Sequence, residues 1–167
     1  MAYRNKVYVC FDAGSDIHYY RLMQGWKASD HIDFDFYDAH DINNLRENSS
    51  EETIKRKLRE RLYNAKLLIV LVGEKTRNLH RFVTWEQEVA LDLDMPIVAV
   101  NLNNSPSIDL ARCPSIIRNE LVLHIPYKLA PMKWAIENWP KQYMDLSKND
   151  ESGPRQISSQ LLQRLLN

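Results

Sequence analysis

Glycine is scarce in this chain, with four residues in 167. A phosphate-binding loop needs glycines so that backbone N–H groups can close on the phosphate, and neither GxxxxGKS/T nor GxGxxG occurs. Cysteine is scarcer still. Cys10 and Cys113 have no spacing that suits a metal or a redox pair. Cys10 lies in an apolar run and reads as a buried thiol, which fits a reducing, cytoplasmic setting. Net charge is missing: Lys+Arg and Asp+Glu both total 22, so no basic field argues for nucleic acid. The basic run "IKRKLRERLYNAK" reads as the solvated face of a helix. No apolar run approaches membrane length, and the one in "MAYRNKVYVCF" is too short for a signal peptide. His18, His31, His40, His80 and His124 are scattered, without HExxH or paired spacing, so no metal site is expected. The serine-hydrolase elbow GxSxG is also missing.

What is present is a regular alternation. "KVYVCF" (6–11) is rich in β-formers and reads as a central, parallel first strand. A helix over 17–27 follows, with Asp16 as its expected cap. "IDFDFYD" (32–38) alternates apolar and polar residues, as a half-exposed strand does. "SSEETIKRKLRERLYNA" opens on serines and glutamates, a helix start, and carries Ile54, Leu58 and Leu62 at helical spacing. "KLLIVLV" (66–72) is continuously apolar, as a strand buried on both faces must be. The helix "FVTWEQEVALDLD" and the strand "MPIVAVNL" come next. Strands alternating with helices through residue 102 predict an α/β fold with a parallel sheet and right-handed crossovers. Beyond it, "ELVLHIPY" reads as a fifth strand and "PMKWAIENWP" as a short helix stopped by Pro140. The expected division is one domain over 1–140, then a flexible linker, "SKNDESGPR", and an amphipathic terminal helix within 141–167.

Ligands of open α/β sheets bind at the carboxyl ends of the strands. Three segments converge there: 11–16, 37–48 and 73–85. They offer the aromatics Phe11, Tyr37 and Trp85, the hydroxyls Ser15, Thr76 and Thr84, and the carboxylates Asp12, Asp16, Asp38 and Glu86. Aromatics with carboxylates suit a base or pyridinium ring and a sugar. Glu86 and Glu88 are two apart, so on a helix they cannot share a face. From the residues alone, Glu86 reads either as a working carboxylate or as an acid near a helix N-terminus.

"KVYVCFDAGSD", "FDFYD", "EETIKRKLRERLYNAKLLIVLVGEKTRN" and "FVTWEQEVALDLDMPIVAV" together resemble the TIR-like domains of the Thoeris antiphage subunit ThsB and its relatives, over about residues 5–101. The resemblance implies a flavodoxin-like TIR fold, three layers around a parallel sheet, that cleaves NAD at the nicotinamide–ribose bond. It implies a catalytic glutamate at the start of the helix after strand three. In "FVTWE", Phe82 stands where the family usually has tryptophan, and the matching glutamate is Glu86. The implied substrate-binding residues are Phe11, Asp12, Tyr37, Asp38, Gly73, Thr76 and Trp85, with NAD as substrate, no cofactor and no metal. The loop "AHDINNLRENSSE" lacks the Arg-Asp and Pro-Gly signature of the larger TIR family.

The implied function is an NAD glycohydrolase or cyclase. It makes a cyclic or modified ADP-ribose signal for a separate effector in bacterial antiphage defence, with self-association as a further expectation. Two alternatives stand beside it. One is a non-catalytic, flavodoxin-like module acting by protein contact, and the other an enzyme like the nucleoside deoxyribosyltransferases.

Overall fold

The computed structural model describes residues 6–29, 34–38, 50–78 and 82–167. Its organising strand is β3 (Leu67–Val72), where all six residues are buried. A strand covered on both faces belongs in the middle of a sheet between helical layers. β1 (Lys6–Cys10) and β4 (Ile97–Asn101) flank it, β2 (Asp35–Tyr37) lies outside β1, and β5 (Val122–Pro126) and β6 (Arg155–Gln156) lie outside β4. The order is β2-β1-β3-β4-β5-β6 and every pairing is parallel. Five helices are seen among the described residues: α1 (Ala13–Ala28), α2 (Glu51–Leu62), α3 (Phe82–Asp92), α4 (Leu129–Lys148) and α5 (Ser159–Leu166). This is the expected α/β, flavodoxin-like fold.

Strand alternation divides the core in two. Val7, Val9 and Phe11 face Tyr20 and Met23 of α1 and Met132, Ile136 and Trp139 of α4. Tyr8 and Cys10 face the other way, toward Ile54, Leu58 and Leu62 of α2 and Val83, Val89 and Ala90 of α3. Ser50 caps α2 by accepting from the Thr53 N–H at 3.2 Å, with Glu51 and Glu52 in the positive first turn.

Three expectations need correction. The cap of α1 is Asp12, not Asp16: the helix starts at Ala13, and the Asp12 carboxylate accepts from the Gly14 N–H at 3.0 Å. Pro140 does not stop its helix, because α4 runs on to Lys148. A proline inside a helix costs about 3 kcal/mol. The buried Trp139 and Ile136 before it, and the core-packed Tyr143 and Leu146 after it, offset that loss. Residue 140 therefore falls within a continuous helix. The expected flexible linker is instead ordered structure. It closes α4, turns through Gly153 at φ +86 with an Arg155–Glu151 ion pair at 3.0 Å, and enters β6, where Arg155 pairs with Leu123. α5 then packs Leu161, Leu162 and Leu165 onto the first core. No described helix is long and apolar enough to cross a membrane.

His124 of β5 is fully buried, and burial pushes its pKa down to about 4. The unfolded chain takes up that proton near pH 6.5 and the native protein only near 4, so the native state loses stability as pH falls through this window. The loss reaches about 3 kcal/mol. Denaturant unfolding of His124→Leu against wild type, from pH 7 to 4, tests this. The wild type should lose ground on the variant as pH falls, and parallel curves would contradict the assignment.

Candidate active site

The strand order makes the crevice. The chain leaves β1 for β2 on one side, then returns to β3 on the other, so the loops after β1 and β3 part at the carboxyl end of the sheet. α3 begins beside this point. The Cys10 thiol at the end of β1 donates to the Val83 carbonyl at 3.8 Å, which ties the first turn of α3 to β1. Glu86 lies in the next turn and is only 4% exposed. Its charge acts on two neighbours. Burial first, and then the Glu86 carboxylate, hold the Cys10 thiol well above its usual pKa. The same two causes in the same order raise the Tyr8 phenol, while the nearby Arg61 guanidinium pulls it back. Cys10 is therefore a protonated thiol and a poor nucleophile.

Glu88 points elsewhere. It meets Lys55 of α2 at 2.5 Å, and Lys55 also holds Glu51 at 2.9 Å. Glu88 serves an ionic bridge between α2 and α3, whereas Glu86 turns inward. The two-residue offset along the helix separates the buried carboxylate from the bridging one.

The other sequence-predicted residues divide between the two faces of the sheet. Phe11 is buried in the first core and stacks on Tyr20 with ring centroids 4.8 Å apart, on the α1 side and away from Glu86. Strand parity puts it there: Tyr8 and Cys10 face α3, so Phe11 faces α1. Asp12 is committed to its cap. Gly73 and Thr76 lock the loop after β3. The Gly73 N–H donates to the Thr76 hydroxyl at 2.9 Å, and that hydroxyl donates to the Leu71 carbonyl at 3.1 Å. Trp85 is half-buried against the second core. Tyr37 is paired in register with Tyr8, lies on the same sheet face, and carries the Lys6 ammonium 4.8 Å from its ring centroid. Asp38 follows it, half-buried.

Structure thus brings Tyr37, Trp85 and Glu86 to the α2/α3 face and leaves Phe11 on the other, while Asp38, at the end of β2, also meets the Tyr20 phenol on the α1 side. Residues 39–48 of the expected second site segment and 79–81 of the third, together with His31, His40 and His80, lie outside the described residues, as does the side chain of Phe82. Among the described residues, no group of three or more His, Cys, Asp or Glu side chains is placed to hold a metal ion.

Sequence reasoning missed Lys6, Tyr8 and Arg61. The signals were there. Lys6, Tyr8 and Cys10 share strand parity, and Arg61, three beyond Leu58, borders the inward stripe of α2. The reading also undervalued Asp16. This side chain is 6% exposed, and its carboxyl pKa is raised by burial first and then by the charge of Asp12. It packs so close to Gly73 that a Cβ at position 73 would overlap its carboxylate.

A six-stranded parallel sheet with helices on both faces, in flavodoxin-like order, is the framework of a TIR-like domain. The family model described as "Thoeris protein ThsB, TIR-like domain" matches residues 8–107, more than half of the chain. The chain belongs to this family, which places it in Thoeris antiphage defence. The match runs from Tyr8, inside β1, through β4 and includes Glu86, while β5, α4, β6 and α5 lie beyond it.

Gly73→Ala should cost about 1–3 kcal/mol, the usual scale of overpacking a tight site. The clash is with the Asp16 carboxylate, so the same substitution in an Asp16→Ala background should cost clearly less. Urea unfolding of the two singles and the double closes the cycle. Equal costs in both backgrounds would show that something other than Asp16 excludes a side chain at position 73.

Proposed function

We propose that this chain is a TIR-type enzyme that cleaves NAD at the nicotinamide–ribose bond. It makes a cyclic or modified ADP-ribose that activates a separate Thoeris effector in the cytoplasm. NAD is the substrate, and no cofactor is needed. The observation that carries the reading is Glu86: a carboxylate 4% exposed, next to the carboxyl end of β1, while its neighbour Glu88 is engaged by Lys55.

The chemistry suits that carboxylate. Breaking an N-glycosidic bond builds positive charge on the ribose, as in an oxocarbenium ion. A fixed anion in a dry site stabilises this charge far better than it does in water. Nicotinamide leaves as a neutral ring, so no strong acid is required. Trp85, next to Glu86, supplies an aromatic surface for that ring.

Near-complete burial has a consequence. Ribose reaches Glu86 only when side chains around the start of α3 part. If few molecules are open at any moment, apparent activity falls in proportion. Weak turnover in the isolated protein, rising on self-association, follows from this reading. The same burial favours the second reading, a non-catalytic module in which Glu86 is a structural acid.

Glu86→Gln keeps the shape of the side chain and removes its charge. NAD consumption should fall at least roughly a hundredfold, the scale of losing one well-placed electrostatic group. Glu88→Gln should retain most activity, because a half-exposed ion pair contributes little. Equal turnover by wild type and Glu86→Gln, both folded by circular dichroism, would refute the catalytic role of Glu86.

A further inference from the structure

The inward stripe of α3 carries more than Glu86. Val83, Glu86, Gln87 and Ala90 stand at i, i+3, i+4 and i+7, the spacing of one helix face, and all four are buried. This face packs over β1, where it meets Cys10, a side chain with no exposed surface. Two polar side chains on a buried helix face need polar partners from the sheet. Strand parity gives β1 the Cys10 thiol for this task, with the Tyr8 phenol two residues back.

The thiol has one proton and two acceptors. One is the Val83 carbonyl, 3.8 Å from the sulfur. The other is the Glu86 carboxylate, while the Gln87 side chain donates to the sulfur. The Val83 carbonyl already serves the backbone N–H four residues on in its own helix. A hydrogen bond to an ionised acceptor is roughly twice as strong as one to a neutral acceptor. The S–H bond therefore turns to Glu86 when that carboxylate is charged, and back to Val83 when it is neutral. Burial keeps the thiol protonated, so the donor is always present. A donated hydrogen bond favours the charged form of a carboxylate and opposes the effect of desolvation. The other charged groups on the facing elements are engaged: Lys55 of α2 holds Glu88, Arg59 of α2 holds Asp92, and Arg61 acts on Tyr8.

We infer that Cys10 is a positioning residue for Glu86: its thiol orients the carboxylate toward the end of β1 and holds it ionised inside a closed site. The inference rests on the NAD-cleaving reading for the reaction that it serves. It gives Cys10 no contact with substrate and no covalent step. Stabilising positive charge on a ribose needs Glu86 as an anion, so the thiol extends the working range toward lower pH. Without that donor the carboxylate takes up a proton more readily, and activity fades at a higher pH.

Initial rates of nicotinamide release by the full chain, from pH 5 to 9, test this. In Cys10→Ala the acid limb of the profile should move up by about one pH unit, the effect of one hydrogen bond to a charged group. Cys10→Ser restores a donor and should bring the limb back to the wild-type position or below it. A thiol that only fills space would leave the limb where it is in both variants, and that result overturns the assignment. The second measurement needs neither turnover nor a change at position 10. The S–H stretching band in a Raman spectrum reports what a thiol donates to. Cys113, whose thiol donates to the Pro114 carbonyl at 3.5 Å, supplies a reference band in the same molecule. Glu86→Gln should move one of the two bands to higher wavenumber and leave the other in place, and two unmoved bands would overturn the contact. A moved band with no NAD turnover by wild type would sink the enzymatic reading and leave a structural thiol–carboxylate pair. Turnover with unmoved bands would sink only the role of Cys10.

Discussion

A strand with no exposed residue cannot lie at the edge of a sheet. β3 is such a strand, and the arrangement of the functional end follows from where it must sit. Its central, parallel placement puts its last residue beside the ends of β1 and β4. The chain then has to turn back over the sheet as α3. The start of that connection is held by the paired hydrogen bonds of Thr76 and by the bare backbone of Gly73 against Asp16. α3 therefore starts next to β1, and its inward face brings Glu86 toward Tyr8 and Cys10. Position in the sheet, more than any local motif, selects Glu86 over Glu88.

Much of this was legible in the sequence because it is written in long, unambiguous patterns. The run 66–72 has too many apolar residues for a half-exposed strand, and Ile54, Leu58 and Leu62 mark one face of a helix. The parts that were not legible depend on tertiary context. Pro140 has the local meaning of a helix stop, but the packing of Trp139 and Ile136 outweighs one lost hydrogen bond. β6 is two residues long and shows no alternation, and it exists through its pairing with β5. Asp12 and Asp16 are both plausible caps, and only the start of the helix at Ala13 decides between them.

The candidate site was half legible for the same reason. The family resemblance pointed to Glu86, but the strand parity that puts Tyr8 and Cys10 on its side of the sheet went unread. Phe11 looked like a pocket aromatic because it ends a strand, yet its parity sends it to the α1 side. Tyr8 and Arg61 come from segments more than fifty residues apart, so no local pattern announces them as neighbours. Membership in the ThsB family supplies the Thoeris context, and the buried carboxylate supplies the chemistry proposed for it.

The central claim is that this sheet end breaks the nicotinamide–ribose bond. Its most direct measurement is mass spectrometry of NAD incubated with the purified protein, alone and with extract of phage-infected cells. The account predicts free nicotinamide with a stoichiometric ADP-ribose product, faint in the first case and strong in the second. NAD left intact under both conditions, by protein that is folded and assembled, would contradict it and leave contact signalling as the role of the fold.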